Sequence, residues 1–271
     1  MAKVAFWSMD KASSGNTYSA IALSTAMGIT RKVTSILIQA NFNSKKMESS
    51  YTPYDELVAS GTFDSSNIGI SALSRLITSN KLTPDFIQNY AKPVLKNRLD
   101  ILYGINSKDV ELYKETVQNL TYLSRKADEL YDLVFLDLPK TNKHDSINNV
   151  LMDSDVVICM LNQDIVKLSE FFKNIETNEI LKDKQKIYVI GDYDEKSKYT
   201  AYNIASRFKV KEPIYTVPHN MIYIDHCNDG NVVDFFYKNM NADKNDPNGK
   251  FIASVNEIVQ KVLDVTKVKE N

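Results

Sequence analysis

The sequence has too little cysteine for a disulfide framework, no apolar run long enough for a membrane span, and no excess of one charge. Its two cysteines, Cys159 and Cys227, are too few to staple a fold, and Cys159 sits in an apolar run where it reads as a small hydrophobic residue. No stretch approaches the ~20 apolar residues that cross a bilayer, and no secretory leader pattern opens the chain, so a cytosolic location is expected. The net charge of −1 excludes a global field that would draw nucleic acid or an anionic membrane. His144, His219 and His226 are too scattered to define a metal site, and neither a Ser-His-Asp arrangement nor a C-x-x-C motif stands out.

What is present is a core. Hydrophobic residues make up 43% of the chain, too many for disorder, and its 271 residues fit one large or two small domains. Apolar runs of strand length fall at 3–8, 34–39, 99–104, 133–138, 156–161, 187–191 and 214–217. Several are apolar throughout, as parallel strands covered on both faces must be. Helical stretches alternate with them at 17–27, 70–79, 110–130, 146–152, 165–174 and 199–208. This order predicts one α/β domain over 1–271: a doubly wound, mostly parallel sheet of seven or eight strands with helices on both faces. Residues 41–95, punctuated by Pro and Gly, read as irregular helical excursions over one face, and 239–249 as a polar loop. A last helix over 250–265 carries Phe251, Val255, Ile258, Val259, Val262 and Leu263 at helical spacing. The core and a membrane surface compete as its partner, and the core is the simpler one.

The first strand leads into Lys11-Ala12-Ser13-Ser14-Gly15-Asn16-Thr17 and then an Ala-rich helix. Strand, small-residue loop, hydroxyl residue and helix is the layout of a phosphate-binding loop, G-x-x-x-x-G-K-[ST]. Small residues let backbone N–H groups face phosphate oxygens, and the helix adds its positive end. Thr17 keeps the hydroxyl that binds Mg²⁺, whereas Asn16 stands where the phosphate lysine would stand. The same pattern serves ordinary helix capping. Asp137 adds weight to the phosphate reading. It ends an apolar strand just before Leu138-Pro139, where Mg²⁺–phosphate ligands sit in such sheets.

On these residues the chain resembles the MinD/ParA family of deviant Walker ATPases, which includes pilus and secretion localisation proteins of the CpaE/TadZ type. The resemblance spans nearly the whole chain and implies a P-loop NTPase-like fold. Lys11 to Thr17 falls on the family's K-G-G-x-G-K-T loop, with Ala12 and Ser13 for two glycines and Asn16 for the loop lysine. Lys11 matches the signature lysine that reaches across a sandwich dimer. Gln39 and Asn41 replace the two aspartates of switch I, the second of which helps activate water. Asp137-Leu138-Pro139 matches switch II, Gly191 falls on the base-contacting Asn, and Val217-Pro218-His219-Asn220 resembles the I-P-x-D segment.

The resemblance implies ATP and Mg²⁺ as cofactors, with Thr17 and Asp137 on the metal. Lys11, Ala12, Ser13, Ser14, Gly15, Asn16, Thr17, Tyr18 and Pro218 would line the nucleotide. Lys11 and the altered Asn41 would take the catalytic positions. It implies a bacterial homodimer that positions or assembles a protein partner in pilus, secretion, conjugation or plasmid-partition machinery, recruited to a membrane or cell pole through that partner. With the charged contacts replaced by neutral ones, hydrolysis is expected to be weak or absent. Two readings compete with this switch: a pseudo-ATPase dimeric scaffold that binds no nucleotide, and a partition protein that binds DNA nonspecifically. The lysines at 182, 184, 186, 196, 198, 209 and 211 suit either DNA phosphates or a solvated face.

Overall fold

Strand β1 (Ala2–Trp7) shows how the sequence pattern becomes a layered structure. Side chains alternate across a strand, so Val4 and Phe6 enter one core while Ala5 and Trp7 enter the other, and all four are buried. In the computed structural model, which describes residues 1–9, 14–40, 46–61, 68–105, 110–139, 145–243 and 245–270, eight strands form one sheet. They are β1, β2 (Ser35–Gln39), β3 (Lys92–Leu95), β4 (Leu99–Leu102), β5 (Leu133–Asp137), β6 (Val156–Leu161), β7 (Gln185–Tyr193) and β8 (Ile214–Pro218). The order is β3-β4-β2-β5-β1-β6-β7-β8. Every neighbouring pair is parallel except β3–β4, a hairpin at one edge. The expected doubly wound, mostly parallel sheet is present.

One face carries α1 (Asn16–Thr30), α2 (Lys46–Tyr51), α11 (Met221–Asn228), α12 (Val232–Asn239) and α13 (Pro247–Thr266), through residues such as Ile21, Met47, Tyr223, Phe235 and Val259. The other carries α4 (Gly69–Thr78), α5 (Pro84–Tyr90), α6 (Val110–Gln118), α7 (Leu120–Asp128), α8 (Asp145–Asp153), α9 (Ile165–Thr177) and α10 (Ala201–Phe208), through residues such as Leu73, Ile87, Leu123 and Phe171. The short α3 (Tyr54–Ala59) follows α2.

The structure departs from the sequence reading in three places. Residues 41–95 do not cover one face: α2 packs on the first core, α4 and α5 on the second, and the segment ends in β3. The helix expected over 110–130 is two, broken at Asn119, whose backbone leaves helical geometry at φ −100° and ψ 9°. The polar loop expected over 239–249 is shorter, because α12 reaches Asn239 and Pro247 opens α13 in the first-turn position that proline favours. Asp246 caps α13 by accepting from the Asn248 and Gly249 N–H groups at 2.8 and 3.3 Å. Its stripe of Phe251, Val255, Ile258, Val259, Val262 and Leu263 is buried against α1 and β8, so the core is its partner.

Candidate functional site

The carboxyl ends of the parallel strands share one edge of the sheet, and α1 starts at that edge, beside the end of β5. This is where an open α/β sheet holds its ligands. Lys11, Ala12, Ser13 and Asn41 lie outside the described residues. The others can be placed.

Gly15 turns the chain into α1 at φ 66° and ψ 18°, a left-handed conformation that a side chain would strain. No side chain caps this helix and its first turn holds no acidic residue. Its first N–H groups and its positive end therefore stay available to an anion. Behind the loop lies the end of β7. A Cβ on Gly191 would overlap the Ser14 carbonyl and meet the Met160 methyl at 2.8 Å. A Cβ on Gly15 would in turn stand 3.1 Å from the Asp192 nitrogen. Gly191 is thus explained by close backbone approach. This position supports the loop.

The first turn of α1 meets the end of β5. Thr17 Oγ1 donates to Asp137 Oδ2 at 2.9 Å, and Asn16 Nδ2 donates to Asp137 Oδ1 at 2.6 Å and to the Leu138 carbonyl at 3.4 Å. Asp137 is fully buried and Asn16 only 1% exposed. Both oxygens of the carboxylate therefore hold a donor from the loop helix. With its N–H₂ committed to Asp137, Asn16 keeps its Oδ1 buried without a hydrogen-bond partner, and Ser14 Oγ is buried in the same condition. Unpaired buried polar atoms cost roughly 1–3 kcal/mol each, which an added ligand or water would relieve.

Gln39 is a brace. Its Oε1 accepts the Gly104 N–H at 3.1 Å, tying the end of β2 to the chain leaving β4. Tyr18 lies beneath the Lys46 ammonium, 4.5 Å from the ring centroid, and its carbonyl accepts the Tyr223 hydroxyl at 2.7 Å. Burial is the main cause that lifts the Tyr18 phenol above its usual range. Pro218 ends β8 opposite Tyr193. Beside it, His219 Nδ1 is 2.6 Å from Asp192 Oδ1, and Asn220 caps α11 by accepting from the Tyr223 N–H at 2.9 Å. The sequence reading missed Lys46 and the His219–Asp192 pair. No motif marks them, because each depends on strand register and helix placement.

The donor set at Thr17 and Asp137, a hydroxyl and a carboxylate, is the oxygen chemistry that Mg²⁺ takes beside phosphate. The uncapped start of α1 suits the phosphates. Asn16, at the position of the loop lysine, supplies no charge to them, so the fit is partial. Among the described residues no His, Cys, Asp and Glu group could hold a metal by itself. Burial pushes the thiols of Cys159 and Cys227 up to about 12 and about 11, as inert core cysteines. Of the lysines near β7, Lys184 donates to the Met152 and Ser154 carbonyls, and Lys186 to those of Leu181, Lys182 and Lys184. Those two ammonium groups cap backbone at the opposite end of the strand. No helix among the described residues is long and apolar enough to cross a membrane.

No protein-family profile matches the sequence, and no curated protein matches it. Solved structures do match in three dimensions. A ParA family ATPase from Chlorobium tepidum TLS is 11% identical, with 96% of this chain and 97% of that one covered at a TM-score of 0.72. The septum site-determining protein MinD from Pyrococcus horikoshii OT3, complexed with Mg-ADP, is 15% identical over 98% and 99%, at 0.67. A putative plasmid partition protein from Borrelia burgdorferi B31, bound to AMPPNP, is 17% identical over 97% and 100%, at 0.65. At these identities the likeness speaks to architecture, and the coverage extends it from end to end: this chain has the fold of the ParA and MinD ATPases.

Proposed function

We propose that the protein is a nucleotide switch of the ParA/MinD kind, binding ATP weakly with Mg²⁺ and hydrolysing it slowly or not at all. It would dimerise, with Lys11 reaching the partner's nucleotide, and position or assemble a protein of a localisation, pilus, secretion or partition system. The carrying observation is the Thr17–Asp137 pair, 2.9 Å apart, at the uncapped start of α1. The likeness to a MinD holding Mg-ADP and a partition protein holding AMPPNP supports the same reading.

A bound Mg²⁺ would supply positive charge to offset that of the phosphates. Thr17 and Asp137 would hold it, the backbone of Ser14 to Thr17 would face the phosphates, and Tyr18 and Pro218 would flank the nucleotide. Asn16 donates hydrogen bonds but brings no charge, and Gln39 is committed to Gly104. Removing one preorganised transition-state contact costs roughly 3–4 kcal/mol of barrier, which is why slow turnover is proposed.

A second reading, a dimeric scaffold that binds no nucleotide, is favoured by one observation: Asn16 already satisfies Asp137 from within the loop. Titration with fluorescent ATP and ADP in Mg²⁺ separates the two. The switch predicts saturable binding that Thr17→Ala weakens. No binding of either nucleotide at millimolar concentration, with Thr17→Ala indistinguishable from wild type, leaves only the scaffold.

A further inference from the structure

Away from the phosphate loop, α3, the end of α5 and the β3–β4 edge border an open cavity of about 460 Å³, within the range of small-molecule sites. Its inner wall includes buried Thr52, Leu57, Tyr103 and Ala91, and Tyr90 and Glu56 stand exposed at its mouth. Half-buried Lys92 lies between wall and mouth.

The polar atoms lining it are unequally satisfied. The Lys92 ammonium donates to the Tyr51 carbonyl at 3.2 Å and to Thr52 Oγ1. An ammonium has three N–H bonds, so one is left over. Thr52 Oγ1, accepting from Lys92, has its own hydrogen to give, and the Tyr103 hydroxyl lies 3.4 Å away. With Thr52 as donor, the Tyr103 O–H is left to serve another acceptor. Two donors, one of them charged, thus line a space shared by apolar Leu57, Ile68, Ala91 and Tyr90 and polar Glu56, Ser60 and Asn89. Desolvation holds the Lys92 ammonium below its usual range while Glu56 acts the other way, and burial raises the Tyr103 phenol. Glu56 forms no ion pair with Lys92, although both line the cavity.

We propose that this cavity binds a small molecule with a carboxylate on an apolar body, the carboxylate received by Lys92 and Tyr103 and the body lying against Leu57, Ala91 and Tyr90. A carboxylate offers two acceptor oxygens, the complement of these two donors. Glu56 at the mouth would add a place for an ammonium group, which distinguishes an amino acid from a simple acid.

The test is isothermal titration of the full chain with 3-phenylpropionate and with L-phenylalanine as probes. Saturable binding of either is expected. A charged hydrogen bond to carboxylate is worth about 1.5–3 kcal/mol, so Lys92→Met should weaken binding about tenfold or more. Tyr103→Phe, which removes only a hydroxyl, should weaken it less, with the circular dichroism of both variants unchanged. Glu56→Gln should weaken L-phenylalanine alone if the amino group docks there, and leave both probes unchanged if only the acid is read; either result keeps the carboxylate site. Absence of saturable binding by both probes at 10 mM (order of magnitude, ~3 kcal/mol of affinity), or equal affinity in wild type, Lys92→Met and Tyr103→Phe, overturns it.

Discussion

At the scale of single residues, Asn16 and Gly191 do opposite things to the same loop. Asn16 replaces a charge with an amide and directs it inward, onto Asp137 at 2.6 Å. Gly191 gives the loop room, since any side chain there would overlap the Ser14 carbonyl. Gly191→Ala should therefore displace the loop or the end of β7 and destabilise the protein by about 1–3 kcal/mol in chemical denaturation, the usual range for overpacking. A change below about 0.5 kcal/mol, the scatter of neutral surface substitutions, would mean that the loop is not seated on β7. Thr17 and Asp137 were legible because a hydroxyl before a helix and an acid ending an apolar strand carry their chemistry in their spacing. Gln39 and Gly191 were only half legible. Each sat at a position where family comparison suggests a ligand contact, and each proves to serve the backbone of a neighbouring strand or loop.

At the scale of elements, the strands buried on both faces were the most readable. The runs at β5 and β6 are apolar at every position or nearly so because neither face meets water. β3 escaped notice because Lys92-Pro93-Val94-Leu95 carries a proline and looks like loop. Proline is tolerated there because β3 is an edge strand with no further neighbour. α11 and α12 escaped notice because each has only eight residues, and α11 exposes Met221 and Ile222 so that no clean polar face marks it. The C-terminal helix was visible from its apolar stripe, but its true start depends on the Asp246 cap and Pro247. Asp246→Ala removes that cap and should cost about 1 kcal/mol, read as a fall in Tm of roughly 2–4 °C for a chain of this order of length. An unchanged Tm would mean that α13 is held by its packing on α1 and β8 alone.

At the scale of the whole molecule, the architecture is intact while the charge at the proposed nucleotide edge is depleted. The eight-stranded sheet, the uncapped α1 and the Thr17–Asp137 pair would frame the proposed Mg²⁺–phosphate site. With a net charge of −1 the molecule has no general field to compensate for a missing local cation. The deficit is local, so restoring one charge should be felt locally. The most direct measurement is titration of ATP with Mg²⁺ into wild type and Asn16→Lys side by side. An ammonium in the loop should tighten binding about tenfold or more, the worth of one charge-assisted phosphate contact. Equal or weaker binding by Asn16→Lys, with its fold intact by circular dichroism, would contradict the claim that this is a phosphate site lacking only its charge.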